Sequence, residues 1–420
     1  MNQEVNQTPT GQHSTKPTTV LMLLTNAYDP DPRVRQEALT LLAMGCEVRL
    51  LAWDRDLKSP LFEVMEGVQV ERIHLASQHG RGTTQIFFYV TLYLRFLWRG
   101  LRTRFDVLHC HDLDTLPLGY ILARLKRKPI VYDSHESFMD MLSGSVHPAV
   151  RKAVMRLENF LIRRVDLLIT VGEKLRRAFA ERGAAHTAVV GNWKALHEYE
   201  KTEVQNRELR ARLGIPEGAI VVTCITQLLK NRMIEELVEA AKPFPDVYVI
   251  LAGKGALEAQ VRQWAAESPR VIFPGFLHAS EVPAYTCASD VIYCGFDPFN
   301  PNARYAAPNK LFEALAAGKP LISPDIGEIG DLIRRAECGL VVEDCTAPAV
   351  RDAIQVMRDP ARRARYTENA RELGRREMNW QRGQEVLYAE YSRLRPDLKS
   401  RGPWPAAAVP AIAATVPGER

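Results

Sequence analysis

Residues 19–52 read TVLMLLTNAYDPDPRVRQEALTLLAMGCEVRLLA, and three patterns follow one another in them. TVLMLLT (19–25) is a continuous apolar run of strand length, and NAYDPDPR is a polar loop. VRQEALTLLAMG has helical spacing and is closed by Gly45, after which CEVRLLA returns to an apolar strand. A strand apolar on both faces, a helix and a second such strand describe a parallel βαβ unit, because helices cover both faces of a parallel sheet. The alternation continues through DVLHC (106–110), PIVYDS (129–134), DLLITV (166–171) and AVVG (188–191).

The polar stretch GNWKALHEYEKTEVQNRELRARLG breaks the rhythm, and the interdomain linker is placed within it. AIVVTCITQ, MIEELVEAAKP, VYVILAG, RVIFPG, DVIYCG, LFEALAAG, PLIS and CGLVVE then build a second unit of the same kind. The expected fold class is α/β: two doubly wound, Rossmann-like parallel-sheet domains facing a cleft, with ligands at the carboxyl ends of the strands. The expected boundaries are 18–200 for the first domain and 206–378 for the second. A C-terminal helix over 379–396 is expected to cross back to the first domain, with disordered segments at 1–17 and 400–420.

A chain of 420 residues, 46% hydrophobic and 25% charged, has the length and composition of a two-domain globular protein. The net charge of +5 suits small anionic partners or lipid headgroups and makes no case for nucleic acid. Seven cysteines without a C-x-x-C pair read as buried thiols in a reducing compartment, and the polar opening MNQEVNQTPTGQHSTKPTT reads as no signal peptide. A cytoplasmic location is therefore expected. GKGALE (253–258) lacks the third glycine of a dinucleotide fingerprint, and no Walker A loop is present.

Polar residues crowd two strand ends of the first half. DVLHCHD places His109 and His111 two apart, and VYDSHE ends in Asp133, His135 and Glu136. Such residues either cap the following helices or line a site, and two such ends on one sheet edge favour the site. His109, His111 and Asp112 also permit a metal-dependent hydrolase, although His147, His186, His197 and His278 stand in no paired ligand spacing.

In APNKLFEALAAG, Pro308 suits the first helical turn and Gly318 the close. Free amides near Asn309, Lys310 and Leu311 then form an anion site, aided by the helix dipole and the lysine. Glu313 lies just inside, placed to accept hydrogen bonds from a diol such as ribose. The plainer alternative is a surface helix carrying two solvated charges.

Together these segments resemble the glycosyltransferase family 4 group, with its GT-B fold, over roughly residues 19–395. The resemblance implies retaining, metal-independent transfer of a sugar from a UDP- or GDP-linked donor to a hydroxyl of a lipid-linked or polysaccharide acceptor. It implies no cofactor. It assigns His111 to the donor sugar as the catalytic position, Arg232 to the diphosphate, and Glu313 to the ribose as the second glutamate of the family's E-x7-E motif. Tyr305 stands where the first glutamate belongs, and Thr226 and Gln227 replace the usual glycines before the base. A nucleotide-sugar-binding protein without turnover is the alternative. Arg33, in the first loop, is a candidate phosphate or acceptor contact.

QIFFYVTLYLRFLWRGLRTRF (85–105) is aromatic and basic, and its apolar part is short for a membrane span. It is either an interfacial helix on an anionic membrane or a buried helix over the first sheet.

Overall fold

The computed structural model describes residues 16–28, 31–76, 84–138, 147–300, 303 and 305–401. The segments expected at 1–17 and 400–420 fall almost wholly outside them.

The first half builds one sheet from β1 (Thr19–Leu24), β2 (Glu47–Asp54), β3 (Phe62–Met65), β4 (Val68–His74), β5 (Val107–His111), β6 (Ile130–Ser134), β7 (Leu167–Thr170) and β8 (Thr187–Val189). Its order is β3-β4-β2-β1-β5-β6-β7-β8. The helices between them are α1 (Pro32–Ala43), α2 (Thr84–Arg102), α3 (Asp112–Lys126), α4 (Pro148–Ile162) and α5 (Glu173–Glu181). All pairings are parallel except the edge pair β3–β4. These two strands escape the sequence pattern because β4 alternates buried and half-exposed residues and β3 is largely exposed. A strand at a sheet edge lacks the continuous apolar run that marks the centre.

The linker is ordered: a 3-10 turn at Leu196–Tyr199 leads into α6 (Glu203–Arg212), whose capping box joins Thr202 to Gln205. The second sheet contains β9 (Ile220–Ile225), β10 (Val247–Ala252), β11 (Val271–Gly275), β12 (Val291–Tyr293), β13 (Leu321–Pro324) and β14 (Gly339–Val342). It runs β11-β10-β9-β12-β13-β14, parallel throughout. Around it lie α7 (Ile234–Ala241), α8 (Glu258–Glu267), α9 (Val282–Cys287), α10 (Asn309–Ala317), α11 (Ile329–Ala336), α12 (Ala347–Met357) and α13 (Pro360–Arg376).

α14 (Trp380–Leu394) then leaves the second half and buries Trp380, Leu387 and Tyr391 among the residues of β1, β2 and α1. Asn379 caps it, and the Trp380 amide donates to the carbonyl of Lys194 in the linker.

In each sheet the chain reverses direction beside the first strand. β1 separates β2 from β5, and β9 separates β10 from β12. Loops leaving the carboxyl ends of such neighbours diverge and open a crevice there. A cavity lies between the two halves, lined from the first by residues after β6 and from the second by residues after β9 and β12.

Candidate functional site

The cavity measures about 510 Å³ and draws its lining from both halves. His135, Glu136 and Ser137 come from the end of β6, and Asn192 from the linker. Thr226, Gln227 and Arg232 follow β9, Phe296 follows β12, and Tyr305, Asn309, Lys310 and Glu313 come from α10 and the loop before it. Gly253 closes the wall at φ +141°, and a Cβ there would lie 1.8 Å from the carbonyl oxygen of Thr226. A side chain would push the two loops apart.

Two cations flank one ring. The guanidinium of Arg232 lies 4.2 Å, and Lys310 Nζ 4.9 Å, from the centre of Phe296. Arg232 Nε and Lys310 Nζ are buried and have no hydrogen-bond partner among the described residues. Burial pulls the Arg232 pKa down from its usual value, but an arginine remains charged. Buried donors without acceptors mark a place where an anion fits.

α10 begins one residue later than its sequence suggests. Pro308 is the N-cap, with extended backbone (φ −69°, ψ 148°), and Gly318 ends the helix at φ 61°. The amide of Leu311 donates to the carbonyl of Pro308 (3.1 Å), and the Leu311 side chain is buried in the core. Leu311 is thus not a ligand donor; its amide is spent on the first turn.

Glu313 sits behind the cations. Burial raises its carboxyl pKa, while Lys194 and then Lys310 pull it back. Lys194 Nζ is 3.8 Å from Glu313 Oε1 and donates to Asn309 Oδ1 at 2.7 Å. Asn192 Nδ2 donates to the carbonyl of Ala307 at 2.9 Å. The linker therefore holds the mouth of α10 through two side chains.

Across the cavity, His135 lies between carboxylates. Its Nε2 is 2.7 Å from Asp133 Oδ2 and its Nδ1 3.4 Å from Asp112 Oδ2. Burial pulls its pKa down, but Asp112 and Asp133 outweigh burial and hold it at about 10. His135 is an imidazolium at neutral pH. Asp112 itself has φ +60° at the start of α3, and its Oδ1 accepts from the amide of His135 (3.1 Å). A non-glycine residue held in that region stores strain at the edge of the site.

Beneath His135 is a closed layer. His111 is 1% exposed, with Nδ1 3.3 Å from Asp133 Oδ2 and its ring stacked on His109 at 4.4 Å. Arg33 clamps Asp133 through Nε (3.0 Å) and a terminal nitrogen (2.7 Å), lies 3.1 Å from Glu37, and donates to the carbonyl of Val190. His109 is fully buried, 2.8 Å from the Tyr391 hydroxyl.

Arg33 and His109, both expected as cleft residues, are corrected here to interior ones. Arg33 is consumed by two buried acids, and α14 covers His109. Ligand atoms of Glu37, His109, His111 and Asp133 lie within 4.8 Å of one another, a spacing compatible with a cation. The guanidinium of Arg33 already supplies positive charge among them. Burial raises the Glu37 pKa to about 8, with Asp133 adding and Arg33 opposing.

Two family models match the chain: the glycosyl transferase 4-like domain over residues 30–193 and glycosyl transferases group 1 over 205–373. The chain belongs to the family 4, GT-B glycosyltransferases. Glycogen synthase of Mycobacterium tuberculosis is 25% identical over 292 residues, which cover 66% of each chain, just under two thirds of that protein's length. Sucrose-phosphate synthase of Thermosynechococcus elongatus superposes with a TM-score of 0.73 at 20% identity, over 90% of this chain and 100% of that one. Anabaena HepE, solved with UDP-glucose, gives 0.66 at 16% identity over 89% and 99%. These two likenesses speak for the fold.

In this glycosyltransferase, Arg232, Asn309, Lys310, Glu313, His135 and Glu136 meet at one cavity. His111 and Asp112 stand behind it and do not line it. Sequence reading missed Lys194, Asn192 and Glu37. The signal for the first two was their place straight after a strand end, in GNWK, which reads equally well as linker.

Proposed function

We propose that this protein is a retaining, metal-independent glycosyltransferase. It moves a sugar from a UDP- or GDP-linked donor to a hydroxyl of a lipid-linked or polysaccharide acceptor, in assembly of cell-envelope or exopolysaccharide material. The work is done at the cytoplasmic side, with peripheral contact to an anionic membrane. The observation that carries the reading is the pair of cations flanking Phe296, Arg232 and Lys310, whose buried Nε and Nζ have no hydrogen-bond partner among the described residues, at the mouth of α10 with Glu313 just behind.

The diphosphate binds between Arg232, Lys310 and the first amides of α10, where the helix dipole adds to the charge. Glu313 accepts hydrogen bonds from the ribose hydroxyls, kept in place by Lys194. The sugar extends toward His135, with His111 behind it. As the bond from the anomeric carbon to the diphosphate oxygen breaks, its electron pair stays on the diphosphate, and the cations offset that charge. The acceptor oxygen bonds to the same face of the carbon and passes its proton to the departing oxygen. Orientation supplies the rest of the acceleration.

Calorimetric titration of nucleoside diphosphates, followed by transfer assays with nucleotide sugars, tests this. Arg232→Ala and Lys310→Ala are each expected to lower the rate by about 10²- to 10³-fold, as loss of one preorganised charge does elsewhere. Glu313→Ala is expected to weaken nucleotide binding; unchanged affinity would remove the ribose assignment. Tyr305, in place of the first glutamate, favours a second reading as a nucleotide-sugar-binding protein. Tight diphosphate binding without donor hydrolysis or transfer would establish that one.

A further inference from the structure

α2, α3 and α4 adjoin on the first half's surface. Gly100 of α2 faces Leu122 of α3 so closely that a Cβ would lie 2.6 Å from it, and Tyr120 of α3 meets Phe160 of α4 edge-on at 5.9 Å. The inner side of α2 is core: Leu92 and Phe96 are buried. Its outer side carries Val90, Leu94, Trp98 and Leu101, a stripe repeating every three or four residues, with Leu94 61% exposed. Ile121 and Leu125 extend the apolar surface on α3, and Leu157 and Phe160 on α4. An exposed apolar surface spread over three neighbouring helices marks an interaction face.

Its charge says what kind. α2 has no acidic residue, and α4 has one, Glu158, which is buried and paired with Arg182. The acids of α3, Asp112 and Asp114, both lie in its first turn, at the cavity end. Against these stand Arg95 and Arg102 on α2, Arg124 on α3, and Arg151 and Arg156 on α4, while Arg99 is paired with Glu71 of β4 at 2.9 Å. Arg102 lies 3.7 Å over Trp98, and Arg164 lies 3.7 Å over Phe160. Aromatic rings with guanidinium groups beside them suit the boundary where headgroups meet acyl chains. No helix among the described residues is long and apolar enough to cross a membrane.

We infer that this three-helix face docks on the surface of an anionic bilayer, with the apolar stripe at the headgroup boundary and the arginines on phosphate groups. The inference gives the membrane contact of the proposed function its surface. It extends beyond the aromatic segment at 85–105 to two further helices. The buried reading of that segment holds for the inner side of α2, and the inference takes up the interfacial reading for its outer side.

Co-sedimentation with phosphatidylcholine vesicles, with and without phosphatidylglycerol, tests it on the full chain without nucleotide, so the outcome is independent of catalysis. Binding is expected only with the anionic lipid and is expected to fall as salt rises. Leu94→Asp and Leu125→Asp are each expected to lower partitioning about tenfold. Arg102→Glu with Arg124→Glu is expected to abolish the preference for anionic lipid. Both are surface changes, and an unaltered circular dichroism spectrum keeps them interpretable. Failure to sediment at low salt overturns the inference. So does equal binding to neutral vesicles, variants that bind as wild type, or a concentration-dependent dimer dispersed by Trp98→Asp.

Discussion

At residue scale, the cavity depends on small electrostatic balances. His135 keeps its proton because Asp112 and Asp133 outweigh burial, with a pKa of about 10 against an ordinary 6.5. A group whose pKa rises on folding stabilises the fold fully below its unfolded value and loses that contribution as pH climbs toward the folded one. Stability to urea is therefore expected to decline between pH 6.5 and about 10, and His135→Gln is expected to flatten that decline. Glu37, held at about 8, acts in the same direction at lower pH, since its proton is retained in the folded chain. Lys194 has the opposite duty, favouring the ionised form of Glu313 against burial. Lys194→Met is expected to raise the Glu313 pKa further, so that nucleotide affinity falls at a higher pH than in the wild type. A pH series of calorimetric titrations reads this shift; superimposable profiles would deny Lys194 the role.

At the scale of elements, α10 and α14 show different degrees of legibility. Nearly all of α10 follows from its own letters: a proline at the entrance, a glycine in the left-handed conformation at the exit, and an apolar face between. What its letters do not convey is that Leu311 spends its amide on Pro308, so the anion site rests on fewer amides. α14 is equally plain as an amphipathic helix, but its partner is not. Tyr391 meets His109 across 282 positions of sequence, 2.8 Å apart in the core. Tyr391→Phe leaves a buried imidazole nitrogen unpaired and is expected to cost about 1–3 kcal/mol in urea unfolding. A change near zero would mean that the hydroxyl contributes nothing there.

At the scale of the whole molecule, the two halves and the linker line one cavity from both sides, and the returning helix packs on the first half. A ligand seated there stabilises the fold by mass action, about 2.7 kcal/mol at a concentration one hundred times its Kd. The best nucleoside diphosphate is accordingly expected to raise the melting temperature in a dose-dependent way, and Glu313→Ala to reduce the shift. The alternation of apolar strands and helices determined the two-domain α/β fold from sequence alone, since strand and helix periods and their caps are written in neighbouring residues. The proline, lysine and glutamate at the start of α10 made it a candidate ligand helix, with a plain surface helix as the alternative. Which polar strand-end residues face the cavity was decided only by the tertiary structure. His109, His135 and Glu136 are polar residues at or just past a strand end and Arg33 follows the loop after β1; their neighbours in sequence do not tell them apart. Arg33 is drawn inside by Asp133, one hundred positions away, and His109 is roofed by a helix from the far end of the chain. Local pattern sets secondary structure. Whether a charge meets a counter-charge, and so lies buried or open to a ligand, depends on partners that only the folded chain brings near.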